Sequence, residues 1–313
     1  MVGFAGLVFM TIFLTKMTWD LIFVPGTESA LAPVLPGVSI PGAPVLSFWH
    51  WIICLFLVAV VHEFGHGVVS KLHKVRIKSS GFAFLGPIMA AFVEPDETKL
   101  KEKSKWKQLS ILAAGPFSNF VFGGIILLFL TLVFTPMIGG MYDSTGVYIA
   151  NAMEGYPVED LDIELPFVIT AIDGEEVLTV VEFLDVSSDF VPGQEVLLST
   201  DKGEYDIILA ENPENYSKGF FGVSGFAQEN VLKEQYSWVS GYENVIQWIL
   251  LLLVWLFLIN IGVGLFNVLP LGPVDGGRMF YIAALFVTKD EKKATKALNY
   301  VSLFILGLVV INM

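Results

Sequence analysis

Long runs of apolar residues, separated by polar loops, dominate the chain. Four runs are long enough to cross a hydrocarbon core of about 30 Å as helices, and a fifth is shorter. The runs cover residues 2–24, 48–69, 109–134, 245–269 and, for the short one, 297–311. The composition agrees with this pattern, because 54% of the residues are hydrophobic and the mean hydropathy is +0.68. Soluble domains are roughly 45–50% apolar. The pattern therefore predicts a polytopic α-helical membrane protein with about five spans.

Charge predicts how the spans are oriented in the cell membrane. Residues 71–107 carry nine Lys/Arg against four Asp/Glu, and residues 289–296 carry four Lys against two acids. Basic loops tend to stay in the cytoplasm, so both segments are expected there. Residues 25–47 carry no Lys or Arg, and residues 143–243 carry 21 acids against three Lys, so both are expected outside. The external block, with a net charge of −18, thus more than accounts for the −13 of the whole chain. Such a block repels polyanions and argues against nucleic acid as a partner.

The acidic block at 144–226 has the pattern of a separate α+β domain. Short β-type runs occur at 147–149, 167–169, 195–198 and 205–209, with a helical stretch near 180–186 and turn residues between them. The motifs at 146–149, 157–160, 169–174 and 192–196 follow one another in an order that resembles a bacterial-type PDZ domain. The Glu-Leu-Pro-Phe of 164–167 departs from the Gly-Asp usual there. The resemblance implies that peptide termini bind as an added strand. The predicted organisation is a first membrane part at 1–143, this domain at 144–226, and a second membrane part at 227–313.

The second apolar run contains the motif His62-Glu63-Phe64-Gly65-His66. On a helix, residues four apart project from nearly the same side, so His62 and His66 can bind one Zn²⁺. Glu63 between them is placed to reach the attacking water. Ionisable residues within a membrane span are costly and indicate a functional site by default. The sequence therefore predicts a zinc site in this span, on its cytoplasmic half.

A catalytic zinc site needs a third protein ligand, and Asp275 is the best candidate. It follows a stretch in which Pro270 and Pro273 interrupt the fourth run, and irregular backbone at membrane depth is tolerated only against protein or a wet cavity. The alternative is that Asp275 only caps the helix that restarts there. His50 and His73 lie at the two ends of their span and are expected to be interfacial side chains.

Two further features complete the candidate site. Asn119 lies at a comparable depth in the third run, where its amide could meet a substrate carbonyl or an oxyanion, or make an interhelical hydrogen bond. The segment at about 77–95 is apolar, contains Gly and Pro, and is too short to span. It is predicted to be a membrane-dipping hairpin whose edge pairs with an unwound substrate. The alternative for this segment is a cytoplasmic loop packed on the helix bundle.

Together these motifs resemble the site-2 protease family of intramembrane zinc metalloproteases. The resemblance rests on the HEFGH of 62–66, the Gly-Pro-x-x-Asn of 115–119 and the Asn-x-x-Pro-x-x-Pro-x-Asp-Gly-Gly-Arg of 267–278, and it covers residues 48 onward. It implies that His62, His66 and Asp275 bind zinc and that Glu63 is the general base. It also implies that Asn119 and Asn267 support the substrate or the oxyanion.

The family resemblance implies hydrolysis of peptide bonds within single-span membrane proteins, including ones that another protease has already trimmed. Three alternatives remain. Another class of HExxH membrane peptidase would use a downstream Glu ligand instead of Asp275. A zinc transporter would need polar groups across the whole membrane, and a silent PDZ-bearing scaffold would not need Glu63.

Overall fold

The computed structural model describes residues 2–27, 31–86, 88–161 and 163–313. Pro87, in the predicted hairpin, and Asp162, in the acidic block, lie outside the described residues. Among the described residues, five helices are long and apolar enough to cross a membrane. They are α1 (Val2–Phe23), α2 (Phe48–Leu72), α4 (Lys105–Phe129, continued by a π-helical turn and a short helix), α7 (Glu243–Asn267) and α9 (Glu291–Ile311). The five predicted runs are therefore confirmed as candidate spans.

The outer faces of these helices are strongly apolar. Trp19 of α1, Leu132 of the π-helical turn and Leu303 of α9 are each more than 60% exposed. Apolar side chains on the outside of a helix bundle suit a hydrocarbon solvent, in which helices already satisfy their own backbone polar groups.

Two boundaries differ from the sequence prediction. The last span was predicted to begin at residue 297, but α9 begins at Glu291, because the Asp290 side chain caps it by accepting from the backbone N–H groups of Lys292 and Lys293. The chain between residues 267 and 275 is a break between two helices. Beyond it lies a separate helix, α8 (Asp275–Thr288), which the apolar pattern did not predict.

The chain divides into two compact units, and the first is Met1–Val133 with Asn244–Met313. In it, α2 packs against α4 and against a hairpin of β1 (Ile77–Leu85) and β2 (Ile88–Pro95), after which comes α3 (Glu97–Lys101). Helix α8 packs between α4 and α9, and α1 packs on the same group. The core of this unit contains Met10, Leu14, Leu112, Val268, Met279 and Ile305.

The second unit, Phe134–Glu243, is built mainly of antiparallel strands, with short helical segments among them. Its helices are α5 (Thr135–Gly139), α6 (Val180–Ser187) and a 3-10 turn at Glu234–Val239. Its strands are β3 (Tyr142–Ala152), β4 (Phe167–Ile172), β5 (Glu175–Glu176), β6 (Glu195–Thr200), β7 (Gly203–Ile208), β8 (Ala210–Asn212), β9 (Asn215–Phe220) and β10 (Val223–Leu232).

The strand order in the main sheet of this unit is β10-β3-β4-β6-β7, with β5 paired to β4. Alternate residues of β3 and β4 point inward, and Val147, Ile149 and Ile169 are fully buried in the core. The predicted block at 144–226 lies within this unit. The pairing of β10 with β3 continues to Leu232 opposite Tyr142, so the sheet extends beyond both ends of that block.

Candidate metal centre

Three polar side chains meet inside the first unit. His62 and His66 project from one side of α2, as their spacing predicted, and Asp275 comes from the first residue of α8. Oδ2 of Asp275 lies 3.1 Å from Nε2 of each histidine, and the two Nε2 atoms are 3.2 Å apart. Each of the three side chains is only 11–12% exposed. The three atoms thus form a nearly equilateral triangle.

Hydrogen bonding indicates that this triangle suits a cation. The carbonyl of Ile111 can only accept, so Nδ1–H of His66 donates to it over 2.8 Å. Neutral His66 therefore presents a bare Nε2 lone pair to the carboxylate of Asp275, a repulsive arrangement unless a proton or a metal cation lies between them. In a tetrahedral site with bonds of about 2.0–2.1 Å, neighbouring ligand atoms are about 3.3 Å apart. The donor set of two imidazoles and one carboxylate fits Zn²⁺ on these grounds.

The break between α7 and α8 brings Asp275 to the histidines. Asp275 is the first residue of α8 and the preceding Val274 is the N-cap, without a side-chain cap. The carboxylate of Asp275 points to the imidazoles, which favours the ligand interpretation over the alternative that Asp275 only caps its helix.

Two glycines allow α2 and α4 to approach closely around the site. A Cβ on Gly115 of α4 would lie 2.6 Å from Nε2 of His62, and a Cβ on Gly65 of α2 would lie 2.6 Å from the carbonyl oxygen of Ala114. Any larger residue at position 115 would displace the imidazoles. The Ser118 hydroxyl adds a contact between the helices, 3.1 Å from the carbonyl oxygen of Val61.

Glu63 faces a cavity of about 260 Å³ beside the histidines. Its Oε2 accepts a hydrogen bond of 2.8 Å from the backbone N–H of Val93 in β2. Across the cavity, the guanidinium of Arg278 donates to Glu97 over 2.8 Å, which links α8 to α3. The lining residues include His62, Glu63, His66, Val93, Asn267 and Asp275.

The two candidate asparagines take different places. Asn267 at the end of α7 lines the cavity, and its NH2 donates to the Val263 carbonyl over 3.0 Å. Asn119 is fully buried, does not line the cavity, and has its Nδ2 3.2 Å from Nδ1 of His62.

The other histidines lie away from the ligand triangle. His50 was expected at the interface. It is 3% exposed, because its side chain packs between Ser47 and the carbonyl of Trp248. His73 lies 3.3 Å from the Ser110 hydroxyl, outside the triangle.

Sequence reasoning missed the roles of three residues around the site. The carbonyl of Ile111 and the N–H of Val93 are backbone groups, so no side-chain motif could show them. Gly115 belongs to the Gly-Pro-x-x-Asn motif, but its contact with the imidazoles depends on how α2 and α4 pack.

Comparison with known proteins assigns the chain to a family. The profile of Peptidase family M50 matches residues 50–309, so the chain belongs to this family, and the resemblance to site-2 proteases is confirmed. The chain is similar to the uncharacterized protein MJ0971 of Methanocaldococcus jannaschii, with 28% identity over 235 residues, 72% of this chain and 54% of that protein. It is also similar to the zinc metalloprotease RasP of Shouchella clausii, with 25% identity over 237 residues, 62% of this chain and 54% of RasP. The chain spans about half the length of these curated relatives.

Proposed function

We propose that this protein is an intramembrane zinc metalloprotease that hydrolyses peptide bonds within the transmembrane segments of single-span proteins. The observation that carries the proposal is the convergence of three candidate ligand atoms and one further carboxylate in a single cavity. The side chains are His62, His66, Asp275 and Glu63. Two of the ligands and the carboxylate lie on α2, which is long and apolar enough to cross a membrane. Membership of Peptidase family M50 and the similarity to RasP support the same chemistry.

The residues of the cavity supply the steps of an amide hydrolysis. Bound zinc supplies Lewis-acid polarisation of the scissile carbonyl and activation of water. Glu63 accepts the proton of the attacking water and delivers it to the leaving amine. Asn267, which lines the cavity, is placed to support the carbonyl oxygen as it gains charge.

The β1–β2 hairpin offers a way to present an extended substrate. A transmembrane helix hides its carbonyls in its own hydrogen bonds, so it must unwind before cleavage. In β2, the N–H of Val93 points away from β1 and towards Glu63. With a period of two, Ala91 and Met89 present their backbone groups on the same edge. An unwound segment paired with this edge would run past Glu63, in the manner of strand addition.

The alternatives account for less of the site. A silent scaffold has no use for a carboxylate held at the cavity beside a ligand triangle, and a transporter has no use for an extended β-edge next to it. We further propose the orientation that charge predicts, with the site near the cytoplasmic side and the acidic unit outside the cell membrane.

The test is cleavage of a single-span test protein in liposomes that contain the purified enzyme. We expect cleavage that stops with a zinc chelator and returns when zinc is added, and mass spectrometry should place the cut bond within the apolar segment. Cleavage only in the polar flanks, or cleavage that persists in chelator, would contradict the proposal.

A second activity, binding of peptide termini, is proposed for the Phe134–Glu243 unit. A cavity of about 380 Å³ lies between α6 and the edge strand β10 of the sheet. Its apolar lining includes Phe183, Leu184, Phe221, Val223 and Phe226. An open strand edge next to an apolar groove suits an extended peptide with an apolar end, which agrees with the PDZ-like interpretation.

The groove can be tested with fluorescent peptides that end in an apolar residue. We expect Leu184→Asp, at the rim of the groove, to weaken their binding to the full protein, while Val181→Asp on the exposed side of α6 leaves binding unchanged. Equal binding by both variants would show that the groove is not the peptide site.

A further inference from the structure

Asn119 lies behind His62 and not in the cavity. Its side chain is fully buried, and it is absent from the lining that includes Asn267. A buried amide with no surface in the cavity does not contact a substrate there. Its amide must therefore act on the protein atom that it does meet, which is Nδ1 of His62 at 3.2 Å.

The tautomer of His62 determines what this amide has to do. A neutral imidazole carries one N–H, so a histidine that binds a metal through Nε2 has its proton on Nδ1. His66 shows this arrangement, because its Nδ1–H donates to the Ile111 carbonyl. For His62 to match it, Nδ1–H needs an acceptor. The NH2 group of Asn119 can only donate, whereas its carbonyl oxygen can accept.

The carbonyl oxygen of Asn119 is free for this role. Among the residues that the structure describes, Oδ1 has no hydrogen-bond partner. The two ends of a carboxamide have nearly the same shape, so hydrogen bonding decides which end faces a neighbour. With NH2 towards Nδ1, His62 carries its proton on Nε2 and directs it at Asp275, which suits the site without a metal. Turning the amide over pairs Oδ1 with His62, and it leaves one amide atom unpartnered, as before.

We propose that Asn119 is a positioning residue that accepts the Nδ1–H of His62 through Oδ1 and thereby keeps Nε2 of His62 free for the metal. This inference rests on the zinc site of the proposed function. It replaces the substrate or oxyanion role that the family resemblance implied for Asn119, and it leaves that role to Asn267 at the cavity wall.

The test compares Asn119→Leu and Asn119→Asp by zinc affinity, measured on the purified full chain by competition with a chelator. Leu has the shape of Asn without its polar atoms, whereas Asp retains an acceptor but has no NH2. The matched control is Asn260→Leu, because Asn260 of α7 is also fully buried with an unpartnered Oδ1 among the described residues. Size-exclusion chromatography and thermal unfolding check that each variant is folded.

We expect Asn119→Leu to weaken zinc binding about 10- to 100-fold, as loss of an outer partner of a ligand histidine does. Asn119→Asp should bind zinc at least as tightly as the wild type and retain cleavage, and Asn260→Leu should leave the affinity unchanged. Wild-type affinity in a folded Asn119→Leu would overturn the inference, whether or not Asn119→Asp folds. If Asn119→Leu and Asn119→Asp both bind zinc like the wild type but both lose cleavage, the inference is also overturned. The NH2 group of Asn119 would then act as a hydrogen-bond donor in catalysis. The affinity is measured without substrate, so a wild type that binds zinc but cleaves nothing would refute the proposed function alone.

Discussion

At the residue scale, the site depends on atoms that come from distant parts of the sequence. His62 and Asp275 are 213 residues apart, yet their side chains meet at 3.1 Å. Close-packed lone pairs of two imidazoles and a carboxylate are costly in a buried place unless they share a proton or a cation. The site is therefore expected to bind metal with a strength that depends on all three ligands.

Replacement of Asp275 tests the third ligand. Asp275→Ala should weaken zinc binding by more than the about 10- to 100-fold that an outer partner of a ligand contributes, because a direct bond is lost. Metal content and chelator competition measure the effect. Glu97→Ala is the matched control, since Glu97 lines the same cavity but belongs to no ligand group among the described residues. Full zinc occupancy in Asp275→Ala at limiting zinc would place the third ligand elsewhere.

Local spacing determines which site residues could be predicted from the sequence. The i, i+4 spacing of His62 and His66 fixes their common side on any helix, so these ligands follow from the sequence. Asp275 follows from the prolines that break its span. The acceptor for His66 and the contact between Asn119 and His62 depend on how α2 packs against α4, 45 and 57 residues away, so only the structure shows them.

At the element scale, the β1–β2 hairpin is hydrogen-bonded to Glu63, the candidate general base. Among the described residues, the backbone hydrogen bond to the Glu63 carboxylate comes from Val93 in β2. This bond fixes one carboxylate oxygen and leaves the other for the proton. Hairpin position and base orientation are therefore coupled.

Removal of that one N–H tests the coupling. Proline is tolerated on a strand edge whose N–H does not pair with a neighbouring strand, so Val93→Pro should keep the hairpin. We expect kcat to fall about 10- to 100-fold with KM nearly unchanged, since a hydrogen bond to a charged group is worth about 1.5–3 kcal/mol. Cleavage kinetics on one test substrate measure both constants.

Two controls separate the N–H from other effects at this position. Val93→Ala retains the N–H without the side chain and should stay near the wild-type kcat. Ala91→Pro leaves the Glu63 hydrogen bond in place but removes an N–H of the proposed substrate edge, so it should raise KM with kcat nearly unchanged. If Val93→Ala loses as much activity as Val93→Pro, the side chain and not the N–H is responsible.

The cap of α6 predicts a pH effect in the second unit. The backbone N–H of Leu178 holds the pKa of the Glu182 carboxyl below its ordinary value, and the backbone and hydroxyl of Thr179 add to this in a capping box. A lowered folded-state pKa stabilises the fold at pH values above the unfolded-state pKa, and the stabilisation is lost as pH falls through the folded-state value.

Amide hydrogen exchange of α6 in the full chain measures the stability of this helix, and the wild type and Glu182→Gln are compared at each pH. At neutral pH, Glu182→Gln should exchange faster in α6 than the wild type, because the neutral amide accepts the capping bonds less strongly. At a pH below the folded-state pKa, the two proteins should exchange alike. A difference that stays constant across this range would show that the charge of Glu182 does not support the cap.

At the scale of the whole molecule, all described candidate site residues belong to the unit that contains the five long helices. The other unit contributes none of them. Deletion of 134–243 with a short flexible linker should therefore leave zinc stoichiometry unchanged. A loss of zinc on deletion would show that the acidic unit supports the site.

The same deletion should relax substrate selection. Residues 143–243 carry 21 acids against three lysines, so in the proposed orientation they would repel acidic ectodomains over a Debye length of about 10 Å at 0.1 M salt. The intact enzyme should prefer substrates with trimmed or basic ectodomains, and this preference should be stronger at low salt. The variant without residues 134–243 should lose the preference. An unchanged preference ratio between full-length and trimmed substrates would contradict a filtering role.

Much of the fold could be predicted from the hydrophobic pattern of the sequence. The parts that could not be predicted depend on short elements and on contacts between distant residues. The five long helices are long, strongly apolar runs, so their existence is readable from the sequence. The sequence indicated only that a helix restarts near Asp275. The extent of α8 was not predicted, because the helix has 14 residues and follows a break rich in proline and glycine, which gives no long apolar run. Four strands of the acidic unit, β3, β4, β6 and β7, were predicted from short β-type runs, whereas β5, β8, β9 and β10 were not. The pairing of β10 with β3 joins residues about 80 positions apart, which alternation does not reveal.

The comparison of the wild type with Glu63→Gln tests the central claim most directly. Gln has the same volume as Glu but cannot accept the proton of water, so zinc content should be equal in the two proteins. Cleavage of a single-span substrate in liposomes should fall at least about 100-fold in Glu63→Gln, the lower bound for loss of a general base. Equal zinc with lost cleavage is the predicted result. Cleavage by zinc-loaded Glu63→Gln at close to the wild-type rate would contradict the account.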